Sequence, residues 1–159
     1  WRIPASHMKL TTDLKHDETY DHLVPLAPEA VAVLRAARRL TGRGPLVFPS
    51  IRNARVPMSE NTLSYFYNRR GYQGRHVPHG WRASFSTIMN EWAERNGSPG
   101  DRYVIDLMLA HIPQGVSGSE GAYNRAAFLE RRREIAEEWA RMIFGCFCEP
   151  AKLLSYPSR

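Results

Sequence analysis

Arg75-His76-Val77-Pro78-His79-Gly80-Trp81-Arg82 is the stretch from which the rest of the chain can be read. Pro78 suits the entry to a helix, because its fixed φ and missing N–H are tolerated there. Helical spacing then runs from about His79 to Asn96 and stops at Gly97-Ser98-Pro99-Gly100. His79 and Arg82, three apart, fall on one face of the opening turn. Unpaired backbone N–H groups at that end favour an anion. A guanidinium can grip two phosphoryl oxygens, and an imidazole can exchange a proton or donate a hydrogen bond. The same pair also fits a helix cap and a salt bridge, so the residues by themselves leave both readings open.

Upstream, Ser59-Glu60-Asn61-Thr62 reads as a cap and first turn of a helix through Tyr67 that ends at Gly71. Leu46-Val47-Phe48-Pro49 reads as a short extended segment. Pro28-Glu29 opens another helix, with Val31, Leu34 and Ala37 at helical spacing and Gly42 as its stop. Residues 1–10 and 22–26 read as two strands, joined as a hairpin by the acidic stretch Thr11 to Asp21. Downstream, Asp101 is expected to cap a helix from Tyr103 to His111. Residues 113–121, rich in Gly, Ser and Pro, read as a flexible loop. Phe128, Ile135, Trp139, Met142 and Ile143 then form one helical stripe, with Glu and Arg on the opposite side. The expected fold is mainly α (α+β), with a small antiparallel sheet near the N-terminus. Residues 1–144 make the domain and 145–159 a tail without clear period.

The 159 residues suffice for one core, and an apolar fraction of 43% argues against wholesale disorder. Arginine is unevenly spread. Residues 28–90 hold ten arginines against Glu29 and Glu60, a net of +8, while every other stretch lies between −2 and +1. A local, arginine-rich excess points to nucleic acid, with Arg69, Arg70, Arg75 and His76 as candidate contacts. The bland counterpart is a solvated basic face. Neither a membrane-length apolar run nor a signal peptide is seen, and a cytoplasmic, membrane-free protein is expected. Cys146 and Cys148 make no disulfide framework and, without nearby partners, a poor zinc site; no metal and no cofactor are expected.

Two further pieces carry possible chemistry. Leu109-Ala110-His111 ends a helix, where a histidine often only satisfies terminal carbonyls. Twelve residues on stands Gly121-Ala122-Tyr123-Asn124-Arg125. A tyrosine hydroxyl can attack phosphorus and store the broken bond's energy as an ester. The chain has seven tyrosines, however, and on such grounds Tyr72, inside the basic segment, competes with Tyr123.

Taken in order, the motifs resemble those of the tyrosine recombinases, especially phage-type integrases. The resemblance runs from Trp1-Arg2-Ile3-Pro4-Ala5 and Met8-Lys9 through His22-Leu23-Val24-Pro25-Leu26, Phe48-Pro49-Ser50 and Pro78-His79-Gly80-Trp81-Arg82. It closes with Leu109-Ala110-His111, Ala122-Tyr123-Asn124-Arg125 and Glu138-Trp139-Ala140, covering residues 1 to about 144. It implies a helical catalytic core that integrates or excises a mobile element through a 3′-phosphotyrosine intermediate, without metal or cofactor. Tyr123 would be the nucleophile and Arg82 the phosphate clamp. His79 would be the general base, His111 a further donor, and Lys9 the general acid. The implied partners are double-stranded attachment-site DNA and further copies of the protein, as a tetramer on DNA. The tail would either pack on a neighbouring protomer, as in that family, or form a disordered end.

A second arginine, which the family carries ahead of the first strand, has no counterpart in 1–159. The chain is therefore expected to be a C-terminal fragment, inactive by itself. A non-catalytic DNA-binding module and a type IB topoisomerase-like enzyme are the competing readings. A metal-dependent nuclease would need carboxylates converging on His79 or His111, and no HxxE or paired-Asp motif lies near either.

Overall fold

Helical spacing dominates the sequence, and helices dominate the computed structural model, which describes residues 1–111, 128–145 and 147–155. In chain order come strand β1 (Arg2–Ile3), three 3-10 turns (Ala5–His7, Leu14–His16, Glu18–Tyr20), strand β2 (His22–Leu23) and helix α1 (Pro28–Thr41). Helix α2 (Thr62–Tyr67) runs into a widened π-type turn (Asn68–Tyr72). Then follow α3 (Gly80–Asn96), α4 (Asp101–Met108), α5 (Leu129–Phe144) and the one-turn α6 (Pro150–Leu153). The architecture is mainly helical with a small antiparallel sheet near the N-terminus. Among the described residues, no helix is long and apolar enough to cross a membrane.

Two compact units emerge: Trp1–Ala27 with Phe85–Met142, and Pro28–Ser84 with Ile143–Arg159. The first holds a core of Phe85, Met89, Val104, Ile105, Leu109 and Ile135, flanked by Trp92, Met108, Phe128 and Trp139. Met89, Ile105 and Ile135 are fully buried, and each such side chain contributes roughly 1.5–3 kcal/mol by leaving water. The stripe Phe128–Ile135–Trp139 therefore faces the core as its spacing requires. Met142, expected in the same stripe, is 41% exposed.

Arg132 corrects the assignment of all arginines of α5 to the outer face. It is 1% exposed and its guanidinium donates to the Leu23 carbonyl. Its position, four residues after Phe128 and three before Ile135, already placed it on the apolar side. A buried charge survives there because it ties α5 to the hairpin through a hydrogen bond.

The hairpin is shorter than expected. Arg2 pairs with Leu23 and Ile3 with His22, and the Val24 N–H reaches the Trp1 carbonyl at 2.8 Å. Pro4 and Pro25 bound this pairing, since neither can donate to a ladder. Residues 5–7 wind into a 3-10 turn instead of continuing the strand. The acidic connection is ordered by Asp21, which accepts the Ala5 N–H at 2.8 Å and the Arg2 guanidinium. These two contacts, the backbone donor first, hold its carboxyl below the usual carboxylate range.

α4 begins one residue earlier than a cap at Asp101 implies. Gly100 is the N-cap, and Asp101 is the first helical residue. Its carboxylate accepts the Ser98 N–H at 2.8 Å and receives both arms of Arg131, at 2.8 and 2.6 Å. The Arg131 guanidinium also lies 5.9 Å from the Trp92 ring centroid. A half-buried ion pair ties α4 to α5 in this way.

In the second unit, α1 ends at Thr41 as Gly42 predicts. Phe48 and Pro49 fold back on Met58 and Pro57 through one isolated bridge. α6, within the tail, lies against α1. Phe144 and Phe147 meet edge to face at 6.0 Å. The expected loop at 113–121, together with Tyr123, Cys146 and Tyr156, lies outside the described residues.

Candidate functional site

His79, the residue before α3, and Arg82, in its first turn, are joined by the Arg82 N–H to His79 carbonyl bond of 3.0 Å. His79 is exposed and Arg82 half-buried. They belong to the unit Pro28–Ser84, which holds all ten arginines of the basic stretch. Arg69, Arg70 and Arg75 are exposed on and after α2, so three of the four expected nucleic-acid contacts project into solvent.

The fourth, His76, is packed differently. Its ring sits edge-on between Tyr67, at 5.3 Å, and Trp81, at 5.1 Å, and its Nε2 is buried. The Trp81 indole N–H donates to the Tyr67 hydroxyl at 2.8 Å, pinning the third ring. The cluster thus braces α2 against the start of α3, and His76 works there as a spacer. Sequence reading passed over Tyr67 and Trp81. The available signal was the interleaving of rings and arginines in Tyr65-Phe66-Tyr67-Asn68-Arg69-Arg70-Gly71-Tyr72. Gly71, at φ 84°, takes the left-handed turn within the widened stretch that leads from α2 to His76.

In the first unit, His111 is delivered by backbone. α4 closes with the Ala110 N–H on the Leu107 carbonyl at 3.0 Å and the His111 N–H on the Asp106 carbonyl at 3.1 Å. This double bond pattern is a Schellman motif. Its left-handed position, usually glycine, is Ala110 at φ 56°, a conformation that costs about 1–2 kcal/mol with a Cβ present. The His111 Nδ1 meets an Asp106 carboxylate oxygen at 3.3 Å. A small cleft joins His111 to Met8, Leu10, Tyr20 and His22. Met8 and Leu10 flank Lys9, which is exposed. The structure therefore brings the Lys9 segment beside His111, and separately brings His79 beside Arg82. Tyr123 lies outside the described residues.

Curated relatives cover most of this chain. The prophage integrase IntA of Escherichia coli K12 is 36% identical over 143 residues, 90% of this chain and 31% of its own length. Prophage integrase IntZ of the same strain is 35% identical over 77% of this chain and 28% of its own length. The integrase of Shigella phage Sf6 is 34% identical over 75% and 29%, respectively. The segment belongs with the phage-type integrases. It spans about a third of the length of the relatives it matches. No family model matches it, and no solved structure does.

One position in this integrase segment shows how tightly its candidate site is built. A Cβ on Gly80 would lie 2.9 Å from the His76 ring, which Tyr67 and Trp81 hold from either side. Gly80→Ala should therefore destabilise the chain by about 1 kcal/mol, overpacking outweighing the gain in helix propensity. The unfolding midpoint and the tryptophan emission report this. A variant as stable as the wild type, with unshifted emission, would show that the ring moves freely.

Proposed function

We propose that the chain carries the phosphate-handling part of a site-specific DNA recombinase that breaks and rejoins strands through Tyr123. The observation that supports it most is the placement of His79 and Arg82 on one helical turn, in a unit with ten arginines, within an integrase relative. Arg82 clamps non-bridging oxygens of the scissile phosphate with its guanidinium fork. His79 takes the proton of the tyrosine hydroxyl as that oxygen attacks phosphorus. The P–O5′ bond breaks, Lys9 protonates the departing 5′-oxygen, and the phosphate stays as an ester of Tyr123 at the 3′ end. A 5′-hydroxyl of another strand then attacks that ester and releases Tyr123. His111 adds a donor to the same oxygens. Preorganised cationic donors stabilise the extra charge of the transition state more than that of the ground state.

Attachment-site duplex DNA is the substrate, and the active assembly is a homo-tetramer on DNA. Because the chain spans about a third of its relatives' length, catalysis is assigned to the full-length protein. The isolated chain is expected to bind DNA without recombining it.

The test is covalent capture. The full-length integrase should form a protein–DNA adduct on a nicked attachment-site substrate, and Tyr123→Phe should abolish it while leaving binding within about twofold. An adduct formed by the Phe variant would move the nucleophile elsewhere, Tyr72 included. No adduct from the unmodified protein, with binding intact, would favour a non-catalytic DNA-binding module. Relaxation of supercoiled DNA without exchange between sites would favour a topoisomerase-like activity.

A further inference from the structure

Between the widened turn after α2 and the first turn of α3 lies a cleft of about 760 Å³, walled, among the described residues, by rings, guanidiniums and Ser84 and by no carboxylate. Three of its rings keep about half their surface in solvent: Phe66 at 52%, Tyr72 at 47% and Trp81 at 46%. Adjacent exposed aromatics of this kind mark a contact surface more often than idle exterior. Arg70 already lies over the Phe66 ring, 5.6 Å from its centroid, and Arg75 borders the same space.

We propose that this cleft receives an unpaired nucleotide of DNA, its base stacked against the rings and its phosphates met by Arg70 and Arg75. The proposal rests on the reading of the chain as DNA-binding and goes beyond it, since phosphate clamping by His79 and Arg82 needs no unpaired base.

Three observations carry the choice of ligand. The walls combine aromatic faces with arginine, the pairing that single-stranded nucleic acid uses, because every base presents a π face whatever its sequence. A paired base hides that face against its neighbours, so duplex DNA can offer only its backbone here. The volume falls within the range of small-ligand sites. The walls are also fixed in advance: Trp81 is tied to Tyr67, and His76 is wedged between them. Little side-chain freedom is then lost on binding. A second depression, lined by Tyr65 and Arg69, shares Phe66 and Arg70 with the first, which extends the surface for a neighbouring nucleotide.

The test compares a labelled single-stranded oligonucleotide with the same sequence as a blunt duplex, titrated with this chain and followed by fluorescence anisotropy. Tyr72 is exposed; its ring meets Tyr67 edge-on at 6.2 Å but takes no part in the Trp81–Tyr67 hydrogen bond. Tyr72→Ser should weaken single-strand binding by roughly tenfold and duplex binding by less than twofold. Tyr72→Phe, which keeps the ring, should restore the single-strand affinity. Arg75→Gln should weaken single-strand binding with the ring intact. Equal losses for both DNA forms, or unchanged single-strand affinity in Tyr72→Ser, would overturn the cleft while leaving the DNA reading in place. Failure of the unmodified chain to bind either form would overturn both. Unchanged thermal midpoints in the variants exclude misfolding as the source of any loss.

Discussion

Arg82→Lys in the full-length integrase should slow strand cleavage by roughly 10²–10³-fold, the usual effect of removing one donor from a developing phosphoryl charge. The substitution keeps the positive charge but loses the planar fork. Lysine offers a point charge on a flexible stem, so two-oxygen recognition goes while attraction to the backbone stays. On the proposed reading, nine further arginines in the stretch 28–90 would carry non-specific affinity, and binding should change less than threefold. Single-turnover cleavage at saturating protein separates the two quantities. A cleavage rate within about threefold of wild type would remove Arg82 from the phosphate. A loss confined to affinity would make it one more backbone contact.

Asp101→Asn should have the largest effect on stability, about 2–3 kcal/mol. Its side chain is 3% exposed and receives both arms of Arg131, itself 29% exposed. Breaking a buried pair from one side costs about 3–5 kcal/mol. Partial solvation of Arg131 and its second carboxylate, Glu134, set the expectation lower. The same contact fixes a pH dependence. Hydrogen bonding from Arg131, then from the Ser98 N–H, holds the Asp101 carboxyl below its ordinary value, against the opposing pull of burial. The folded state thus binds the proton more weakly than the unfolded chain. The stabilisation is complete above the ordinary carboxylate range of about 4 and is lost as pH falls through the lower folded value. Denaturant unfolding at neutral pH and near pH 3 should show wild type losing more stability than Asp101→Asn. Equal acid slopes, or a neutral-pH difference below about 0.5 kcal/mol, would contradict this account.

Periodicity and punctuation made most of the helices legible. Pro28 and Gly42 bracket α1, and Pro78 with Gly97 bracket α3, because proline and glycine act locally, whatever the chain packs against. The strands were overread for an opposite reason. Residues 1–10 look extended by composition, but pairing ends where Pro4 and Pro25 deny the ladder a donor. Arg132 and the Asp101–Arg131 pair were missed because long-range partners leave no local spacing signal. Only the position of Arg132 between Phe128 and Ile135 hinted at burial.

The candidate site divides along the same line. His79 with Arg82 was readable, since both lie on one turn. The approach of the Lys9 segment to His111 depends on tertiary packing and on a left-handed Ala110 that sequence does not announce. The cluster of Tyr67, His76 and Trp81 was hidden by chemistry, because a histidine beside arginines reads as a phosphate contact before it reads as a wedge.

The backbone bearing of His111 is set by two amide hydrogen bonds and one methyl-bearing residue kept in a narrow conformational well, and its ring meets the Asp106 carboxylate. A glycine at that corner would sit more comfortably and roam further. Sequence drift elsewhere on the neighbouring surface can therefore proceed without moving the His111 backbone, and the corner and Asp106 are where drift would be felt.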